Sequence, residues 1–145
     1  MLTIFTPTFN RAHTLPRLYE SLLKQTDHNF EWLIVDDGSK DDTEEIVKTF
    51  SEEHFKIRYI KQENGGKHIA TNVGLKSAQG DLFTVLDSDD WFYPDAVEFF
   101  NTQFNKFKSM KALITLDTYE DGTVIGEKLP PLTKVNWVDL SLIHI

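Results

Sequence analysis

Three carboxylates stand within four positions at Asp87, Asp89 and Asp90, directly after Leu82-Phe83-Thr84-Val85-Leu86. Five apolar or β-branched residues in a row, bounded by a Gly80-Asp81 turn signal, read as a buried strand, so the carboxylates fall at its carboxyl end. Like charges a few ångströms apart disfavour joint ionisation unless a cation shares them. Hard oxygen ligands on one short loop suit Mg²⁺ or Mn²⁺, which take one or two carboxylates and complete their shells with phosphate oxygens. The segment therefore reads as a place where a metal holds a phosphate. The plainer alternative, a loop capping the next helix before Pro94, leaves a costly cluster of carboxylates uncompensated.

Two further polar clusters follow strand-like runs: Thr6-Pro7-Thr8-Phe9-Asn10-Arg11 and Asp36-Asp37-Gly38-Ser39. Asp, Gly and Ser also form plain turns, so neither cluster is decisive by itself. Asn64-Gly65-Gly66-Lys67-His68 could bring backbone N–H groups and the Lys67 charge to an anionic ligand at a helix N-terminus. Spacing removes several phosphate sites. A P-loop needs glycine where Lys61 stands and a hydroxyl where His68 stands. The first strand is not followed by Gly-x-Gly-x-x-Gly, and Leu33 and Val35 occupy the calcium-ligand positions of any EF-hand placed on Gly38. His13, His28, His54, His68 and His144 lack metal-ligand spacing.

The elements that must position these clusters alternate. Strands are expected at Leu2 to Thr6 (stopped by Pro7), Glu31 to Val35, Ile57 to Ile60, the run before Asp87, and Ala112 to Leu116. Helices are expected at about Leu15 to Gln25 behind Thr14 and Pro16, from Asp42 or Thr43 to Phe50, from Lys67 to Ala78, and from Pro94 to Phe107. Phe99, Phe100, Phe104 and Phe107 sit at helical spacing and read as core. Asp121-Gly122 looks like a hairpin turn. Repeating strand-helix units give an α/β fold: a mostly parallel sheet with helices on both faces. Ligands sit beyond the carboxyl ends of such strands, where strand order reverses. All three polar clusters follow strands, so they share that edge.

Bulk properties agree. At 145 residues there is room for one domain with a real core. Twenty-three acidic against fifteen basic residues, net −8, argue against a nucleic-acid surface. The absence of cysteine excludes disulfides and thiolate metal sites. No apolar run approaches the roughly 20 residues of a membrane helix, and Met1-Leu2-Thr3-Ile4-Phe5 lacks the marks of a signal peptide. A cytoplasmic protein, at most peripheral to the inner face of a membrane, is the expectation.

The ordered set of Thr6 to Arg11, Val35-Asp36-Asp37-Gly38-Ser39 with Asp42-Thr43, Asn64-Gly65-Gly66 with Asn72-Val73-Gly74-Leu75, Ala78-Gln79-Gly80-Asp81, and Leu86-Asp87-Ser88-Asp89-Asp90 resembles the family 2 glycosyltransferases of GT-A fold. The resemblance runs from about residue 2 to residue 117. It implies a Rossmann-like GT-A sheet, a nucleotide-diphospho-sugar donor (most often a UDP-sugar), Mg²⁺ or Mn²⁺, and transfer to a hydroxyl of a sugar or lipid-linked acceptor by an inverting displacement. It implies that Pro7, Thr8 and Phe9 line the base and ribose pocket. Asp37 would accept a hydrogen bond from the base, with Asp36 supporting its loop. Lys67 would contact the nucleotide, Asp87 the ribose or donor sugar, and Asp89 the metal, Asp87 and Asp89 forming the DxD pair. The family's general base is an Asp or Glu well downstream. Glu120-Asp121 and Asp139 match it poorly, and the chain ends in an apolar run. The expectation is one GT-A nucleotide-sugar-binding domain over 1–145, truncated on its C-terminal side, with the acceptor half largely missing after about 120 and the base beyond the end. Two other readings stay open: a non-catalytic nucleotide-sugar-binding homologue, and a phosphatase that would be phosphorylated on Asp87.

Overall fold

The chain passes from strand to helix four times: β1 (Leu2–Thr8), α1 (Leu15–Leu23), β2 (Phe30–Asp36), α2 (Thr43–Lys48), β3 (Lys56–Lys61), α3 (Lys67–Ser77), β4 (Leu82–Val85) and α4 (Ala96–Lys106). The computed structural model describes residues 1–106 and Thr123. The expected strand at 112–116, the Asp121-Gly122 turn, Phe107, and the carboxylates Glu120 and Asp139 lie outside the described residues. The chain divides into two compact units, Met1–Met110 and Lys111–Ile145, and these eight elements belong to the first.

The strands lie in the order β3-β2-β1-β4, and every pairing is parallel. Alternation sorts the side chains of the central strands. Leu2, Ile4, Trp32 and Ile34 join Leu15, Leu18 and Leu22 of α1, Val47 of α2 and Val97 of α4 in one buried cluster. Phe5, Leu33 and Val35 point the other way and pack with Ala70 of α3. Helices thus cover both faces, which explains why β1 and β2 are buried along their whole length. The approach of α3 to β1 is close: a Cβ on Gly74 would lie 2.5 Å from the Phe5 ring.

Pro7 does not stop β1, which continues to Thr8. Residues of a strand direct their N–H and C=O alternately to either side. The Phe5 carbonyl faces β4, accepting from Leu86 N at 2.9 Å, so position 7 faces β4 as well. The β1–β4 pairing ends at Phe5 and Val85, and the missing N–H of Pro7 has no ladder bond to lose.

Helix α1 stops at Leu23 rather than Gln25, because Gln25 is a buried cross-link. Its Nε2 donates to the carbonyls of Ser21 (3.0 Å) and Tyr93 (2.9 Å), and its Oε1 accepts from Val97 N (3.1 Å). Helix α4 begins at Ala96 rather than Pro94, whose carbonyl accepts from Thr26 N at 2.8 Å. Along α4, Val97 is buried and Phe100 packs on Phe92, whereas Phe99 is exposed. The aromatic stripe is therefore not all core: positions 97, 100 and 104 share a face at helical spacing, and 99 lies off it.

A buried charge ties the opposite, amino-terminal edge of the sheet together. Glu31 is fully buried in β2. It accepts from Thr3 Oγ1 (2.7 Å), Gln79 N (2.6 Å) and Arg58 Nη1 (3.1 Å). Burial pushes its carboxyl up, but these donors together hold it below the ordinary glutamate value.

Candidate functional site

Strands β1, β2 and β3 follow one another across the sheet in one direction, and β4 lies on the far side of β1. Strand order thus reverses between β1 and β4, and the crevice beyond their carboxyl ends is where an α/β sheet offers a ligand site. The loops after all four strands meet at this edge.

Hydrogen bonds join those loops in sequence. Asp37 N donates to Thr8 O at 2.9 Å. Asn10, at φ 53°, takes the left-handed conformation that asparagine tolerates. Its N–H donates to Ser39 Oγ (2.9 Å) and its Oδ1 accepts from Lys40 N (2.9 Å). Asp41 accepts from Ala12 N (3.1 Å) and from the N–H and hydroxyl of Thr43. Burial pushes the Asp41 carboxyl up, and the Thr43 and Ala12 donors bring it below its ordinary value. These hydrogen bonds tie the β1 and β2 loops into one ledge.

Asp36 and Asp37 differ sharply in role. Asp36 is fully buried; Oδ1 accepts from Ser39 N (2.8 Å) and Oδ2 from the Tyr59 hydroxyl. Burial and this carboxylate drive the Tyr59 phenol far above its usual range, so it stays a donor at any physiological pH. Asp37 is also buried, and its Oδ1 accepts from Gln62 Nε2 (2.7 Å) and Gly65 N (2.9 Å), its Oδ2 from Gly66 N (2.7 Å). Burial raises its carboxyl, but the Gly65, Gln62 and Gly66 donors outweigh that and leave it below the ordinary aspartate value. The glycine pair at the start of α3 therefore meets an anion from its own chain. This corrects the expectation that Gly65 and Gly66 offer their N–H groups to a ligand: Asp37 already accepts from both. Gly66, at φ 91°, turns the chain into α3 in a conformation that favours glycine.

Lys67, the first residue of α3, crosses to β4 and donates from Nζ to Asp87 Oδ2 at 2.7 Å. Asp87 follows Leu86 at the end of β4, and its Oδ1 is buried without a hydrogen-bond partner among the described residues. Asp90 N closes a turn on Asp87 O at 3.0 Å, Ser88 is buried, and Asp89 and Asp90 are exposed. Among the described residues no three His, Asp or Glu side chains gather as a ready metal cage. This agrees with a metal that takes one or two carboxylates and completes its shell with phosphate oxygens. The turn sends Asp89 and Asp90 outward, while Asp87 is neutralised by Lys67. The donor set still suits Mg²⁺ or Mn²⁺, which rarely use an all-protein cage: a solvent-facing carboxylate at Asp89 beside a buried, unpartnered oxygen at Asp87.

The remaining candidates lie on the β1 side of the crevice. Pro7 and Thr8 are buried strand residues, Thr8 Oγ1 is a second buried oxygen without a partner among the described residues, and the Phe9 ring is exposed. Sequence reasoning missed Arg17, whose guanidinium lies 3.4 Å from the centre of the Trp91 ring and pins the residue after the acidic loop to α1. It also missed Tyr59 and Gln62, the partners of Asp36 and Asp37. Residues inside a strand or just past its end carry no local signal of such pairing.

Comparison with known proteins supplies context for this geometry. Residues 3–126 match the family model for glycosyl transferase family 2. The chain is 39% identical over 118 residues to the glycosyltransferase GlyA of Streptococcus pneumoniae, covering 81% of this chain and 16% of that protein. The structure of TarS 1–349 of S. aureus in complex with UDP-GlcNAc superposes with a TM-score of 0.67 at 27% identity, covering 74% of this chain and 32% of that one. The mannosyltransferase PcManGT of Pyrobaculum calidifontis, solved with GDP-Man and Mn²⁺, gives a TM-score of 0.59 at 26% identity, over 63% of this chain and 28% of that one. The chain spans at most 35% of the length of the first curated relatives it matches.

Proposed function

Since this chain belongs to glycosyl transferase family 2 and carries the parallel core of its GT-A fold, we propose that the crevice between β1 and β4 binds a nucleotide-diphospho-sugar. The sugar is then transferred to an acceptor hydroxyl. The observation that carries this reading is the pairing of Lys67 with Asp87 at the strand-order reversal, beside the exposed Asp89. Both charge types that a diphosphate and its cation require stand there together.

The roles follow from what each group can do. Phe9 offers an exposed aromatic face to a base, and the buried strand end Pro7-Thr8 precedes it, with a Thr8 hydroxyl that has no hydrogen-bond partner among the described residues. Asp36 fixes the turn that carries Asp37. Asp37 in turn fixes Gly65 and Gly66, and so the start of α3 and the origin of the Lys67 side chain. One lone-pair site on Asp37 Oδ2 remains for a donor on the base. Lys67 contributes positive charge to the diphosphate, and Asp87 accepts hydroxyl hydrogen bonds from ribose or donor sugar. Asp89 would hold Mg²⁺ or Mn²⁺, which when bound stabilises the negative charge that builds on a departing nucleoside diphosphate. Inverting transfer additionally calls for a general base about 3 Å from the acceptor hydroxyl.

Solved relatives bound to UDP-GlcNAc and to GDP-Man with Mn²⁺ support a nucleotide-sugar donor and a divalent cation for this chain. A UDP-sugar is the donor we favour, with polysaccharide or glycoconjugate synthesis as the setting and a sugar or lipid-linked acceptor. A cytoplasmic setting for the reaction is part of this proposal. Among the described residues no helix is long and apolar enough to cross a membrane.

Thermal unfolding with a panel of nucleoside diphosphates and Mn²⁺ tests the reading. A ligand at 100 times its Kd, bound only by the folded chain, adds about 2.7 kcal/mol, a shift of several degrees. UDP is expected to stabilise most. A uniform lack of stabilisation by every nucleotide would overturn the donor site.

A further inference from the structure

Lys67 and Asp87 are 20 residues apart in sequence and meet at 2.7 Å across the crevice. Both are partly open to water, with side chains 62% and 39% exposed. An ion pair this exposed contributes little to folding, so the fold does not depend on it. Its geometry is nevertheless well prepared. Asp37 clamps Gly65 and Gly66 immediately before Lys67. Asp87 sits at the end of β4, where Leu86 N is bonded to Phe5 O. The ammonium engages one oxygen of Asp87, and the other is buried without a partner among the described residues. Two exposed carboxylates, Asp89 and Asp90, follow at once.

We propose that Lys67 is the resident counter-cation of this acidic loop: it holds Asp87 while no donor is bound and turns to the donor's diphosphate when a divalent cation takes up the loop's charge. This rests on the donor-site reading above. Lys67 then works in two directions. Against metal alone it competes, since a positive charge already stands on Asp87. Towards metal with a diphosphate it helps, since the displaced ammonium gains an anionic partner. Metal and nucleotide thereby bind better together than either does singly, and by linkage each strengthens the other equally. Lys67 is a positioning and coupling residue, and the loop avoids collecting stray divalent cations in the absence of donor.

The test titrates Mn²⁺, followed by electron paramagnetic resonance of the free ion, into the 145-residue chain and its Lys67→Met variant, with and without UDP. In the parent chain UDP is expected to tighten Mn²⁺ binding. In Lys67→Met, Mn²⁺ alone should bind roughly five- to thirtyfold more tightly, the range expected from removing a unit charge about 4–8 Å from a divalent ion in watery surroundings, and the strengthening by UDP should shrink. Lys67→Arg should restore the parent pattern, and in an Asp87→Asn background, where no carboxylate holds the ammonium in the loop, the gain from Lys67→Met should shrink. Unaltered melting of Lys67→Met confirms that the fold is intact. If UDP tightens Mn²⁺ binding in the parent chain but Lys67→Met binds Mn²⁺ alone no better, the counter-cation role is wrong and the donor site stands. If UDP has no effect on Mn²⁺ in the parent chain, the donor site itself falls.

Discussion

Replacing Asp37 by Ala separates an anchoring role from a contact with the nucleotide base. The carboxylate accepts from Gln62 Nε2, Gly65 N and Gly66 N at 2.7–2.9 Å and is nearly enclosed. A hydrogen bond to a charged partner contributes about 1.5–3 kcal/mol. The three share one acceptor, and their part-buried donors regain some water when it is removed. Asp37→Ala should therefore cost about 3 kcal/mol rather than the full sum. Asp37→Asn keeps one acceptor oxygen for Gln62 and Gly65 but sets its amide N–H₂ against the Gly66 N–H, and about half that loss is expected. With a urea dependence of about 2 kcal/mol/M, the midpoint for Asp37→Ala should fall by about 1.5 M, and Asp37→Asn should lie between it and the parent. The measurement is urea unfolding of the ligand-free chain, so a residue whose main work is to touch a bound base would leave it unmoved. Midpoints of both variants equal to the parent's would refute the claim that Asp37 anchors the glycine pair.

Three further outcomes follow from packing and charge. Glu31→Gln should lower stability by about 3 kcal/mol, as expected when one partner of a buried ion pair is removed and Arg58 loses its carboxylate; urea unfolding reads it. Gly74→Ala should cost about 1–3 kcal/mol in thermal unfolding, because the new methyl would meet a Phe5 ring already stacked on Phe83. Acid should unfold the chain through Glu31, Asp37 and Asp41, all held below their ordinary values of 4.5, 3.8 and 3.8. A depressed folded value gives stability that is present above the unfolded value and lost as pH falls through the folded one. Urea midpoints should thus be level from about pH 7 to 5 and fall below about pH 4, and the fall should be shallower in Glu31→Gln; a fall of equal steepness in that variant would remove Glu31 from the explanation.

The alternation of strands and helices was legible because buried parallel strands read as apolar runs and α1 shows its leucines at helical spacing. So was the shared edge of the three polar clusters, which follows from each one ending a strand. What sequence could not show were pairings across 20 to 50 residues. Glu31 looks like an ordinary strand residue until Thr3, Arg58 and Gln79 are folded around it. Asp37 looks like a free carboxylate until Gly65 and Gly66, 28 and 29 residues on, turn their N–H groups to it. Pro7 looks like a strand breaker because the rule concerns a lost ladder bond, and only the early end of the β1–β4 pairing shows that there is none to lose. Residue type alone does not separate Asp87 from Asp89, to which the resemblance gives sugar and metal respectively; the fold gives one a lysine and leaves the other in solvent.

Calorimetric titration of UDP into the chain, with and without Mn²⁺, and into its Asp89→Ala variant, bears most directly on the donor site. Asp89 is exposed, so the variant should melt as the parent does. Mn²⁺ should tighten UDP binding to the parent chain, and Asp89→Ala should abolish that gain while leaving the weaker metal-free binding in place. UDP binding that is the same with and without Mn²⁺, and the same in Asp89→Ala, would contradict the account of the crevice between β1 and β4 as a metal-assisted diphosphate site.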